Sequence, residues 1–293
     1  MRDWMRTKIG AIKRNSLHAK LARIERESHG SRATYVGNNR VLVKCVAAGA
    51  NIAYYVEADD KLLSPWFIIT GQYEIEPTNF FLREIRHDSH CIDVGSNFGY
   101  FTCLLARFCP EGKVIGVEAD RHVYELVRDN IAINGFAHAQ AVHAAAGDSD
   151  GEVTLFRRHS RSGNTSIIAA DRGFTDLLGE EPAQPFTVRC VRIDDLADSI
   201  GGRVDLMKID VEGSEPLAIA GAERTIAANP GLSIVMEWSP GQIQGAGFDV
   251  GDFLRVLEAK GLRAFELTRD AIVPLPYERL ATLSYRSGIV LRR

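Results

Sequence analysis

Apolar and polar positions along this chain follow three successive patterns. Over residues 1–30, Met5, Ile9, Ile12, Leu17, Leu21 and Ile24 recur at roughly helical spacing, which predicts an amphipathic helix. Residues 31–85 break into short apolar runs, RVLVKCV, IAYYVEA and SPWFIITGQYEIEP, which read as strands of a small β-rich cap. From residue 86 to 293 the rhythm becomes strand, helix, strand, helix. Strands are predicted at CIDVG, KVIGVEA, QAVHAAA, VDLMKID, LSIVMEW and LRAFELT, and helices around 100–108, 121–134, 214–228 and 249–259. Such alternation builds an α/β domain, a mostly parallel sheet with helices on both faces. The closing SGIVLRR reads as one more strand, and its irregular approach through Asp270 to Arg279 suits an edge or antiparallel position. Residues 157–185 interrupt the alternation and read as a lid or binding loop.

Composition narrows the class. Hydrophobic and charged fractions of 45% and 25% suit a globular enzyme, and a net charge of -3 gives no global pull toward nucleic acid. No apolar run approaches the ~20 residues of a membrane span. The five cysteines show no CxxC and lie in or beside apolar segments, so free thiols and a cytoplasmic setting are expected. The first thirty residues hold eight Lys or Arg against three acids, a local balance of +5. A helix there suits either peripheral contact with an anionic membrane, such as the inner membrane surface, or packing on the body or a second subunit. The second reading is favoured.

Two clusters carry chemistry. In CIDVGSNFGYFT, residues 91–102, a buried strand runs into a turn shaped by Gly95 and Gly99 and then into a helix. Ligands of open α/β sheets sit at such strand ends, against free helix N–H groups. Glu118 closes the next strand 25 residues after Asp93, a spacing that suits an acid receiving ribose hydroxyls. A dinucleotide and S-adenosylmethionine both fit a glycine turn with a ribose acid. The spacing Gly95-x-x-x-Gly99 departs from G-x-G-x-x-G, and Asp93 would repel pyrophosphate while suiting a cationic cofactor, which favours S-adenosylmethionine. Ser96 and Asn97 complete the turn. The second cluster is VDLMKIDVEGSE, residues 204–215. Lys208 and Asp210 share one face of a strand, Glu212 reads as a turn residue, and Glu215 complements a helix dipole.

These segments, with VIGVEAD, PLAIAGAERTIAANP and IVMEW in order, resemble the FkbM family of S-adenosylmethionine-dependent methyltransferases, over roughly residues 70–293. GQYEIEP, GNTS and RIDDL are lesser echoes. The resemblance implies a class I methyltransferase fold, a Rossmann-like seven-stranded sheet with one antiparallel strand. It implies methyl transfer to an oxygen of a sugar or glycan, a polyketide or a related metabolite; no nucleic-acid partner is expected, since no basic patch lies beyond residue 30. Asp93, Gly95, Asn97, Gly99 and Glu118 then match the cofactor motif, and Ser96 stands where the family often has Ala. The turn of Ala146, Gly147 and Asp148 is the expected adenine pocket. An RNA or protein methyltransferase and a non-catalytic cofactor-binding module are the alternatives.

A hydroxyl acceptor needs its proton removed as the methyl arrives. Asp210, Glu237 and His159 are candidate bases, with Lys208 orienting Asp210 or steadying an alkoxide. Asp210 and Glu237 end neighbouring strands and could hold Mg2+. Trp238 could stack on a sugar ring. Arg157, Arg158 and Arg161 hint at an anionic acceptor.

Overall fold

The computed structural model describes residues 31–157 and 183–293. The expectations for residues 1–30, and those for Arg158, His159, Arg161 and GNTS, lie outside the described residues.

The chain opens with strands β1 (Ser31–Gly37), β2 (Arg40–Ala47) and β3 (Ala50–Glu57), which pair as an antiparallel meander. Two helices follow, α1 (Leu63–Thr70) and α2 (Ile75–Glu84). They correct the strand expected over residues 64–77. That run lacks charged residues up to Glu74, so its pattern has no helical period. Its fate is decided by Asp60, whose Oδ1 accepts from the N–H groups of Leu62, Leu63 and Ser64 and starts the first helix. Gly71, in the left-handed region with φ 64°, ends it. The cap is therefore β-rich only in its first half.

The main domain then runs β4 (His90–Val94), α3 (Tyr100–Phe108), β5 (Lys113–Glu118), α4 (Arg121–Ile133), β6 (Ala139–His143), β7 (Ala145–Ala146), β8 (Gly151–Arg157), β9 (Gln184–Val191) and α5 (Ile193–Ser199). It continues through β10 (Leu206–Ile209), α6 (Glu215–Ala220), α7 (Glu223–Ala228), β11 (Ser233–Trp238), α8 (Pro240–Gly245), α9 (Val250–Ala259), β12 (Arg263–Leu267), β13 (Ile272–Pro274), α10 (Tyr277–Leu280) and β14 (Arg286–Arg292). The central sheet has the order β13-β12-β14-β11-β10-β4-β5-β6. Strands β11, β10, β4, β5 and β6 are mutually parallel, and β14 runs antiparallel between β11 and β12. This is the class I methyltransferase arrangement, with β13 added to β12 as an eighth, antiparallel strand. The closing strand is antiparallel but interior, because apolar Ile289, Val290 and Leu291 are fully buried between neighbours on both sides.

One core fills each face of the sheet. Ile92, Ile115, Met207, Ile234 and Ile289 pack against the helices of the second half, while Phe80, Phe81, Phe101, Leu104 and Leu105 pack between sheet and cap. The helix expected over 214–228 is split at Gly221. A Cβ there would lie 2.0 Å from the Gly147 carbonyl oxygen, and the Gly221 carbonyl accepts from Asp194 N–H, so the chain must bend. The ends of β8 and β9 around residues 157 and 184–185 are strand rather than loop. Chain order reverses between β4 and β10, which opens the sheet's carboxyl edge beside Val94 and Ile209.

Candidate active site

At that edge lies a cavity of about 680 Å3. One half is built by the turn after β4. Gly95 (φ 76°) sits so close to β10 that a Cβ would lie 1.8 Å from the Asp210 carbonyl oxygen, so only glycine fits. The N–H groups of Gly95 and Ser96 both donate to the Val117 carbonyl, at 3.0 and 2.9 Å. Asn97 also takes a positive φ, 49°, and its N–H donates to Glu118 Oε2 at 2.9 Å. Glu118 Oε1 accepts from Asp120 N–H at 2.8 Å. Burial pushes the Glu118 carboxyl up to about 8 against the pull of those N–H groups.

Ser96, Asn97, Glu118, Ala146, Gly147 and Asp148 all line the cavity, and Gly99 opens α3 behind them. Ser96 Oγ is buried without a hydrogen-bond partner among the described residues. An unpartnered hydroxyl, a glycine without room for a side chain and an acid at the next strand end fit an adenosyl cofactor. Asp93 departs from expectation. It is fully buried, accepts from Thr102 Oγ1 at 2.7 Å and does not line the cavity. It pairs in register with Lys208 on the adjacent parallel strand, so both point to the face covered by α3. Burial raises its carboxyl above the ordinary range against the pull of Lys208.

The other half is acidic. Lys208 Nζ lies 2.6 Å from Asp210 Oδ2, 3.7 Å from Glu74 Oε2 and 5.0 Å from the centre of the Phe101 ring. Burial alone would discharge this lysine, but Asp210, Glu74 and Asp93 together hold it protonated. Glu237 Oε2 is buried without a hydrogen bond among the described residues, and burial with the nearby Asp210 raises its carboxyl to about 10. Glu212 (φ 52°) accepts from Gln242 Nε2. Carboxylate oxygens of Asp210, Glu212 and Glu237 lie within 4.8 Å of one another, so the pair expected to hold a metal is joined by a third acid. Glu215 is spent on the turn, accepting from the N–H groups of Val211 and Gly213.

Sequence reasoning did not single out Glu74 as a site residue. It stands at φ 41° between α1 and α2, in the GQYEIEP stretch, and lines the cavity. Burial and Asp210 raise its carboxyl to about 7 against the pull of Lys208. Two expectations are corrected. Trp238 is fully buried on the opposite face, donates Nε1–H to the Leu280 carbonyl and stacks near Phe253, because alternation along β11 turns it away from Glu237. Arg157 is engaged with Asp120 Oδ2 at 3.0 Å and offers no free cation to an anionic acceptor.

A family model for the methyltransferase FkbM domain matches residues 93–264, more than half of the chain. The chain is similar to Methyltransferase sdnD of Sordaria araneosa, 24% identical over 201 residues, covering 61% of this chain and 74% of that protein. It is also similar to Methyltransferase 1 of Beauveria bassiana, 25% identical over 148 residues, covering 46% of this chain and 59% of that relative, less than two thirds of its length. Among solved structures, an O-methyltransferase from Bacillus cereus in complex with SAH aligns with a TM-score of 0.40 at 13% identity, covering 74% of this chain and 78% of that one. With the Gly95–Gly99 turn, Glu118 and the Lys208–Asp210 pair all inside the matched segment, the chain belongs to the FkbM family of S-adenosylmethionine-dependent methyltransferases.

Proposed function

We propose that the protein methylates a hydroxyl oxygen of a sugar, glycan, polyketide or related metabolite. The observation that carries this reading is the acidic half of the cavity, where Asp210 and its neighbouring carboxyls face the space beside the cofactor turn. Ser96, Asn97 and Glu118 would hold S-adenosylmethionine, with Ala146 and Asp148 on the adenine side, and the bound cofactor would supply an electrophilic methyl on sulfur. Asp210 would take the proton of an acceptor hydroxyl whose oxygen receives the methyl in line, as the cofactor's C–S bond breaks. Lys208 keeps Asp210 in place and offsets the charge of the carboxyls around it. Neutral, hydroxyl-rich acceptors suit such a pocket, whose protonated Glu237 and ionised Asp210 offer a hydrogen-bond donor and an acceptor to hydroxyl groups.

The spacing of Asp210, Glu212 and Glu237 favours a second reading, in which a divalent cation held by these acids would polarise the acceptor oxygen. Paramagnetic titration with Mn2+ distinguishes the two readings, since tight binding lost in Glu237→Gln favours the cation. The primary test is incubation with methyl-labelled cofactor and fractionated small-molecule extract, followed by mass spectrometry. An O-methyl ether should form, and Asp210→Asn should retain cofactor binding while losing about 10²-fold or more in turnover. Label appearing only in protein or RNA, or full turnover by Asp210→Asn, would contradict the proposal.

A further inference from the structure

Tyr73 and Glu74 lie outside the matched segment, in the turn between α1 and α2, yet both line the cavity. The turn is clamped onto the residues that follow Gly95. The Tyr73 ring packs against Phe98, Tyr100 and Phe101, with ring centroids 6.2, 5.7 and 6.1 Å apart. Thr78 Oγ1 donates to the Tyr73 carbonyl at 2.7 Å, and Thr78 N–H donates to the Glu74 carbonyl at 2.9 Å. Glu74 is therefore held beside the turn after β4, while Glu237 belongs to β11 on the far side of β10.

Glu74 Oε2 is buried without a hydrogen-bond partner among the described residues. The cation beside it, Lys208 Nζ at 3.7 Å, sits nearer Asp210 at 2.6 Å and also answers the charge of Asp93. Three acids thus share one lysine, and an acid buried in this way is costly until a further donor reaches it. The course of the cofactor supplies that donor. Glu118 closes β5 on one side of β4, whereas Lys208 lies in β10 on the other side, with Asp210 following it. An adenosyl group whose ribose meets Glu118, with adenine toward Ala146 and Asp148, would carry its amino-acid end across the β4 turn toward β10. That end bears a primary ammonium, a compact cation with three N–H donors. Its carboxylate needs a donor instead, and Ser96 Oγ is a hydroxyl of the same turn with no hydrogen-bond partner among the described residues.

We infer that Glu74, supplied by the cap rather than by the matched segment, receives the α-ammonium of S-adenosylmethionine. The inference rests on the cofactor and is independent of which acceptor is methylated. Calorimetry on the full chain tests it with S-adenosylhomocysteine, with the deaminated analogue carrying hydrogen in place of the ammonium, and with 5′-methylthioadenosine, which lacks the amino-acid end. The wild type should bind S-adenosylhomocysteine about tenfold or more tightly than the deaminated analogue, the effect of one hydrogen bond between charged groups. Glu74→Gln should erase that preference, weakening S-adenosylhomocysteine about tenfold or more while leaving the other two ligands nearly unchanged. Glu74→Asp, which keeps the charge beside Lys208, should restore part of it. Equal binding of S-adenosylhomocysteine and its deaminated analogue by the wild type would overturn the inference. So would equal weakening of all three ligands in Glu74→Gln, the result expected if Glu74 only braces Lys208. Binding of none of the three by the wild type would overturn the cofactor reading along with it, whereas the other outcomes leave that reading standing.

Discussion

Lys208 Nζ and Asp210 Oδ2 lie 2.6 Å apart at the carboxyl end of β10, with the Lys208 side chain almost wholly buried and Glu74 and Asp93 close by. One cation thus offsets several buried acids. Replacing it by methionine should cost about 3–5 kcal/mol in urea unfolding, because the remaining carboxyls keep their burial and lose their partner. Adding Asp210→Asn to Lys208→Met should restore part of that loss, a coupling that a double-mutant cycle measures.

Glu118 gives a second prediction. Its carboxylate already holds two backbone N–H groups and borders the cavity. Glu118→Ala should weaken both S-adenosylmethionine and S-adenosylhomocysteine by about 10- to 100-fold in calorimetry, the range expected for two ribose hydrogen bonds of about 0.7–1.4 kcal/mol each. Equal weakening of the two ligands is expected, since ribose is common to both.

Gly95 allows the sharpest steric test. Gly95→Ala forces a side chain into the Asp210 carbonyl at a positive φ, so it should destabilise the fold on the order of 3 kcal/mol or more and abolish cofactor binding. Gly151→Ala, in open space at the start of β8, should leave stability nearly unchanged.

The buried carboxyls also set a pH dependence. Glu118 is raised to about 8, and Glu74 and Glu215 to about 7, from an ordinary 4.5. Between the unfolded and folded values the native state binds more protons than the unfolded chain. The stability these groups contribute is therefore full below the unfolded value and is lost as pH rises from about 5 to about 8. Glu118→Gln should flatten the upper part of that decline in denaturant midpoints.

Much of this architecture was legible from local pattern. The run from Cys91 to Thr102, the spacing to Glu118 and the Lys208–Asp210 pair are each written within one strand–turn–helix or strand–helix unit. Other features depend on tertiary context. The 64–77 run has no period in its uncharged sequence, and a single aspartate cap decides that it is helical. Glu74 was passed over because its partner Lys208 lies far along the chain and only the packing of cap on sheet joins them. Trp238 was open to a better reading, since alternation alone places it on the face opposite Glu237.

The central claim is that the cavity between β4 and β10 holds S-adenosylmethionine with its sulfur beside the acid cluster. A crystal structure with S-adenosylhomocysteine measures this most directly. The ribose hydroxyls should lie within hydrogen-bond distance of Glu118, the adenine near Ala146 and Asp148, and the sulfur on the side of Asp210. Ligand density anywhere else, or protein side chains filling the space beside Gly95, would contradict the account.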